Sequence, residues 1–129
     1  MKAKGGTKMK YITMEQFNKA SDKIQCKILG WWIPADGDLM YNLETKEREV
    51  FEPSYMDVDC VHSYCIPLLT VGQLIMFIEK TMGCKMDIMY SELTQSYEIL
   101  VGTYNEFFKK ELLETLWQVA NKLADNEIV

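Results

Sequence analysis

The segment over residues 96–124 constrains the fold most, because its apolar pattern changes from a period of two to a helical period. One face of the first part carries alternate residues, as in a strand: Tyr97, Ile99, Val101 and Thr103. Apolar residues then recur at helical spacing: Leu112, Leu113, Leu116, Trp117, Ala120, Leu123 and Ala124. A helix with one apolar face needs a surface to cover. The segment therefore predicts a strand leading into a helix that packs on a sheet.

Two further helices begin with matching capping signals. Thr13 and Gln16 have the spacing of a capping box, which predicts a helix over residues 14–29 with Gly30 ending it. Thr70 has the same signal and predicts a helix through about residue 82, with Gly83 at its end. The bulky pair Trp31-Trp32 is expected to close one end of the core, and an exposed binding platform is the alternative.

Between these helices the pattern predicts two β-hairpins. Residues 39–43 and 48–52 flank a four-residue turn, and residues 85–90 pair with the strand that begins at Ser96. The predicted order is α-β-β-α-β-β-α. This is an α+β fold with three helices and an antiparallel or mixed sheet of about four strands in two hairpins. Whether the helices cover both faces, as in an α/β/α sandwich, stays open.

Length and charge define the organisation of the chain. Its 129 residues suit one domain, which we place at residues 11–129 after a mobile leader over residues 1–10. Four lysines in the leader leave a net charge of −9 on the remaining 119 residues. Such a surface repels phosphate, so we expect no nucleic-acid binding except through mimicry of a nucleic acid. A start at Met9 instead of Met1 stays open.

The hydrophobic runs and the cysteines indicate a cellular location. No apolar run is long enough for a membrane span, and no signal sequence follows the first lysines. Four cysteines are too few for a disulfide framework in a chain of this length. We therefore expect an intracellular protein with reduced thiols and no membrane partner.

Three stretches resemble a known family: Ile28-Leu29-Gly30-Trp31-Trp32-Ile33-Pro34, Glu98-Ile99-Leu100-Val101-Gly102 and Leu116-Trp117-Gln118-Val119-Ala120. Together with the middle helix, they are similar to the small phage and prophage proteins grouped as the phage ABA-sandwich domain. The resemblance implies a compact helix–sheet–helix protein from a phage or an integrated element, acting in the host cytoplasm. It implies no activity and no catalytic residues.

One cluster has the atoms for metal or thiol chemistry. Cys60, His62 and Cys65 offer two thiols and an imidazole, the ligand types of tetrahedral zinc. The spacing is not that of paired zinc knuckles. The same residues also suggest a thiol nucleophile with His62 as its base. Ordinary packed thiols are the third interpretation.

The predicted first hairpin is markedly acidic. Eight carboxylates and two basic residues lie between Asp36 and Asp59, a net charge of −6. Aromatic residues among these acids are typical of a surface that docks on a basic protein. The candidate partner-binding residues are Asp36, Asp38, Tyr41, Glu44, Glu47, Glu49 and Phe51. The alternative is that the charges only keep the protein soluble.

These observations favour a phage or prophage accessory protein that is not an enzyme and binds another protein, such as a host factor. The alternative is a small zinc- or thiol-dependent protein that uses Cys60, His62 and Cys65. A self-associating structural component is a third hypothesis, and the oligomeric state stays open. No nucleotide-binding or hydrolase motif is present in the sequence.

Overall fold

The computed structural model describes residues 10–126, with side chains through residue 124. Except for Lys10, the predicted leader lies outside the described residues. The elements in chain order are α1 (Met14–Lys19), α2 (Asp22–Trp31), β1 (Leu39–Asn42), β2 (Glu47–Val50), α3 (Val58–Tyr64), β3 (Cys65–Pro67), α4 (Val71–Met82), β4 (Met86–Ser91), β5 (Ser96–Val101), β6 (Tyr104–Phe108) and α5 (Leu112–Asn126). The α+β class is confirmed, but the predicted numbers of helices and strands are wrong.

The helix predicted over residues 14–29 is two helices. The capping box of Thr13 and Gln16 is present, but α1 ends at Ala20, whose backbone is extended. Ser21 then starts α2 by accepting a hydrogen bond from the Ile24 amide at 3.3 Å. A serine side chain can cap a new helix instead of continuing the preceding one. Here Ser21 caps α2, so the chain forms two short helices and not one continuous helix.

Residues 58–67, where the predicted order has no helix or strand, contain α3 and β3. Asp57 caps α3 by accepting from the Cys60 amide at 3.1 Å. β3 follows at once and pairs antiparallel with β1. Pro67 has no amide hydrogen to donate. It is tolerated there because β3 is an edge strand in the described part of the chain, with no neighbouring strand on its outer side that needs this donor.

In the described part of the chain, six strands form two separate antiparallel sheets instead of one sheet of about four strands. The first sheet has the order β2-β1-β3 and the second has the order β4-β5-β6. Both predicted hairpins are present, as β1–β2 and β4–β5. The strand β6 was missed, because Gly102 and Thr103 form a two-residue turn that reverses the chain. Gly102 has a positive φ of 61°, as a type II′ turn requires at its first central residue.

The main core joins the second sheet to the helices. Ile99 and Val101 are buried on β5, and Leu116 is fully buried on α5. These positions confirm the strand and the helical stripe predicted within residues 96–124, but Thr103 is exposed beyond the end of β5, and Trp117 is only partly buried against this core. The opposite face of the second sheet is open, since Met89 and Phe107 are 48% and 65% exposed. Among residues 10–126, no helix therefore covers this face of the second sheet.

A smaller core lies under the first sheet. It consists of Trp32, Met40, Phe51, Val61 and Cys65. Trp32 is 2% exposed, so it closes this core as expected and is not an exposed platform. None of the helices in residues 10–126 has the length and apolar character needed to cross a membrane.

Candidate binding groove

A groove of about 810 Å³ lies between the first sheet and the start of α1. Leu39, Tyr41 and Val50 line it from the sheet, while Tyr11 and Met14 line it from the other side. Its volume is typical of ligand-binding clefts in proteins. The groove therefore offers a mostly preformed surface with both apolar and polar contacts.

The pleat of the β1–β2 hairpin decides which side chains line the groove. Tyr41 pairs with Arg48, so both lie on the groove face. Met40 pairs with Glu49 on the opposite face, where Met40 is fully buried in the smaller core. The pleat thus directs Tyr41 and Arg48 to the groove face and Glu49 to the opposite face, although Glu47 and Glu49 also border the groove.

Arg48 fixes the far wall of the groove. Its Nη1 donates a hydrogen bond to the Tyr11 hydroxyl, and its guanidinium lies 5.9 Å from the centre of the Tyr11 ring. The Ile12 amide donates to the Leu69 carbonyl at 2.8 Å. Both contacts connect the segment before α1 to neighbouring elements, Tyr11 to β2 and Ile12 to Leu69. Neither Tyr11 nor Arg48 was among the predicted site residues.

The strand β2 is an open edge of the first sheet. Within residues 10–126 its only neighbouring strand is β1. The Phe51 amide donates to the Asp38 carbonyl at 2.8 Å, and hydrogen-bonding direction alternates along an antiparallel pair. The backbone amides and carbonyls of Arg48 and Val50 therefore point away from β1, where another strand can pair with them.

The residues of the predicted acidic surface differ in their exposure and contacts. Asp36, Glu44 and Glu47 are exposed. Glu49 is half-buried and accepts a hydrogen bond from the Asn42 side chain at 3.2 Å. Tyr41 lines the groove. The acidic residues next to the open edge are thus Glu47 and Glu49.

Two predicted partner-binding residues are used inside the fold. Phe51 is 1% exposed in the smaller core. Asp38 accepts hydrogen bonds from Trp32 Nε1 at 3.2 Å and from Gln73 Nε2 at 3.2 Å. Its carboxylate joins the start of β1 to α2 and α4. The structure therefore removes Asp38 and Phe51 from the candidate surface.

The histidine contacts the backbone at the end of α2. His62 Nε2 lies 2.7 Å from the Leu29 carbonyl oxygen and 3.0 Å from the Trp32 carbonyl oxygen. Both oxygens can only accept, so Nε2 carries the proton and donates to the end of α2. The His62 ring also stacks on Trp32, with ring centres 5.7 Å apart. This nitrogen is therefore committed to the backbone.

The two cysteines of the predicted cluster lie in different surroundings. Cys60 is exposed, and a hydrogen bond with Asp57 raises the pKa of its thiol. Cys65 is buried, and loss of hydration raises its pKa to about 11. Metal ligation and nucleophilic attack both need a thiolate, which a raised pKa opposes. Across the described chain, no three His, Cys, Asp or Glu side chains are arranged to hold a metal ion.

A second cluster of titratable groups joins α5 to β6. Lys122 Nζ lies 2.7 and 2.8 Å from the two carboxylate oxygens of Glu106, and the Tyr104 hydroxyl donates to Glu106 at 2.6 Å. The hydrogen bond from Lys122 lowers the pKa of Glu106. Burial, followed by the bond to Glu106, raises the pKa of Tyr104. Tyr104 and Lys122 both donate hydrogen bonds to Glu106, so we interpret the cluster as a structural contact between β6 and α5.

Comparisons with protein families, with curated proteins and with solved structures found no match for this chain. The resemblance to the phage ABA-sandwich domain therefore stays a prediction. What the chain binds has to be argued from the groove and the edge beside it.

Proposed function

We propose that this protein is a binding protein that takes up an extended segment of a partner protein as an added strand on β2. The observation that carries the proposal is the open edge of β2 beside a preformed groove. In strand addition, backbone hydrogen bonds hold the ligand, and pockets for alternate side chains select it. The first sheet has both parts, since Arg48 and Val50 supply the backbone groups and the groove supplies the contacts.

The groove is needed for useful affinity. A backbone hydrogen bond contributes only about 0.5–1.5 kcal/mol net, because the free groups are already hydrated. The apolar surface of Leu39, Tyr41 and Val50 can add the burial of a ligand side chain, at about 25 cal/mol per Å². A partner therefore binds through both features together.

The proposed role agrees with the wider expectation of a non-enzymatic phage or prophage accessory protein in a host cell, with a host factor as its partner. That origin and location are proposals that rest on the sequence. The alternative of zinc or thiol chemistry gains no support from the geometry, because His62 donates to α2 and both thiols have raised pKa values.

The test removes one outward-pointing amide. Val50→Pro deletes a donor on the solvent side of an edge strand, where proline is tolerated, while Val50→Ala keeps the amide and shortens the side chain. Peptides are first selected from a random library on the wild-type protein. We expect the selected peptides to lose binding to Val50→Pro and to lose clearly less with Val50→Ala, which removes part of the apolar surface and keeps the backbone donor. Circular dichroism checks that both variants are folded.

Amide chemical shifts give a second measurement that does not depend on the variants. Titration of the wild-type protein with a selected peptide should move the amide signals of Arg48 and Val50 most. Shifts centred on the open face of the second sheet, around Met89 and Phe107, would contradict the proposal. Equal binding to Val50→Pro and to the wild type would contradict it as well.

A further inference from the structure

We infer that the segment added to β2 alternates basic and apolar residues, with the basic side chains beside Glu47 and Glu49. This inference rests on the proposed strand addition and specifies the chemistry of the partner. It follows from the two faces of β2, which differ sharply in the groups that they present.

The acidic face of β2 selects the basic residues. Glu47 and Glu49 are two residues apart, so both project to the same face of the strand. In an added strand, the residues opposite them project to that face too and lie within reach of the carboxylates. Glu47 is exposed and Glu49 is half-buried, so an arriving lysine or arginine can reach both. Opposite charges on directly paired residues stabilise a sheet, and like charges destabilise it.

The other face of β2 selects the apolar residues. Arg48 and Val50 project to the groove, where Leu39 and Tyr41 continue the surface across β1. The guanidinium of Arg48 already contacts Tyr11. The aliphatic part of the Arg48 side chain is therefore what a ligand on this face would contact. A valine, isoleucine or aromatic side chain on this face of the ligand would bury apolar surface against Val50 and Tyr41.

A second copy of the chain fits this edge poorly. In an antiparallel pairing of β2 with itself centred on Arg48, Glu47 of one copy would lie opposite Glu49 of the other. The two arginines would also face each other. Charged residues on an edge strand oppose such self-pairing in natural proteins. A basic strand instead neutralises the carboxylates, so charge complementarity favours a different protein as the occupant.

The test uses synthetic peptides with blocked ends. The probe alternates lysine and valine. One control has the same composition, with all lysines placed before all valines, and a second alternates glutamate and valine. Binding is measured by isothermal titration calorimetry and by the amide shifts of Arg48 and Val50. We expect only the alternating lysine peptide to bind with shifts at these two residues.

Charge reversal at one position tests the pairing itself. Glu47→Lys should weaken binding of the alternating lysine peptide by about 2- to 30-fold, because it replaces attraction by repulsion at a partly exposed site. It should also improve binding of the glutamate peptide. Glu92→Lys makes the same charge change in the exposed turn of the other hairpin and should leave binding nearly unchanged. Glu49→Gln, which keeps a hydrogen-bonding group near Asn42, should cause a smaller loss than Glu47→Lys.

The outcomes separate this inference from the proposed function. Library peptides that lose binding to Val50→Pro but show no alternation of basic and apolar residues would leave strand addition standing and overturn the inference. Equal effects of Glu47→Lys and Glu92→Lys on peptide binding would also overturn it. The peptide would then be attracted by the net charge of the protein and not by the carboxylates on β2. Library binders that are indifferent to Val50→Pro would overturn both.

Discussion

The turn between β5 and β6 gives the sharpest test of the fold, because it rests on one glycine. Gly102 has a φ of 61°, a value that L-residues with a side chain adopt at a cost of about 1–3 kcal/mol. A Cβ at this position would also lie 3.2 Å from the terminal methyl of Met82, which can rotate away. Replacing glycine by alanine also lowers the conformational entropy of the unfolded chain. This stabilises the folded state by about 0.4–1 kcal/mol and offsets part of the cost. We expect Gly102→Ala to destabilise the protein by about 0.5–2.5 kcal/mol.

The same substitution at Gly30 should have the opposite sign. Gly30 lies near the end of α2 with a normal backbone, and a Cβ there would meet no atom within 4 Å. Gly30→Ala should therefore stabilise the protein by up to about 1 kcal/mol. Urea unfolding followed by tryptophan fluorescence measures both free energies. Gly102→Asn is a third variant and should lose less than Gly102→Ala, because asparagine tolerates positive φ better.

A change of stability in the same direction and of similar size in the two alanine variants would contradict this prediction. That result would mean that the positive φ of Gly102 is not maintained in solution. The strand β6 would then lose the turn that places it beside β5.

Three further predictions concern groups away from the groove. The lowered pKa of Glu106 adds stability above the pKa of the unfolded chain, near 4.3, and this stability is lost as the pH falls. Unfolding free energies from pH 6 to about 3 should therefore fall more steeply for the wild type than for Glu106→Gln. Alkylation should label Cys65 only after unfolding, since it is buried with a pKa of about 11, and mass spectrometry of digests would show early labelling if this is wrong. Leu116→Ala should cost about 2–5 kcal/mol because Leu116 is fully buried, and a loss below about 1 kcal/mol in urea unfolding would contradict the placement of α5.

Strong local signals made much of the fold predictable from the sequence. The capping boxes at Thr13 and Thr70 place the starts of α1 and α4, and Gly83 ends α4 in the left-handed conformation. The change from a period of two to a helical period within residues 96–124 predicts both β5 and α5. In each case the apolar spacing and the capping chemistry indicate the same element, so tertiary context had little to change.

The errors arose where a short signal competed with a longer pattern. Ser21 and Asp57 each cap a helix, but the apolar pattern around Ser21 predicts one continuous helix, and the predicted order has no element after Asp57 before the helix that begins at Thr70. Gly102 and Thr103 form a turn of only two residues at the end of the alternating run, and the sequence predicts no element between this run and the final helix, so the prediction lacks β6. Such turns change the direction of the chain without interrupting the apolar pattern.

The candidate site was predictable only in part. The acidity around Glu47 and Glu49 is visible in the sequence, but the burial of Phe51 and the internal use of Asp38 depend on packing between distant elements. The contact between Tyr11 and Arg48 joins residues far apart in the chain, and no local pattern marks it. Whether a strand lies at the edge of its sheet depends on the order of the strands. The spacing of residues along one strand carries no information about that order.

The separation of the two sheets has a consequence for folding kinetics. The second sheet is a meander whose strands are joined by short turns, whereas the first sheet needs β3 to return to β1 and Ile12 to meet Leu69. Contacts between nearby residues close small loops and form faster than contacts between distant ones. We therefore expect β4, β5 and β6 to assemble early and the first sheet to complete late. The groove would then exist only in the fully folded chain, so a folding intermediate would be unable to hold a partner.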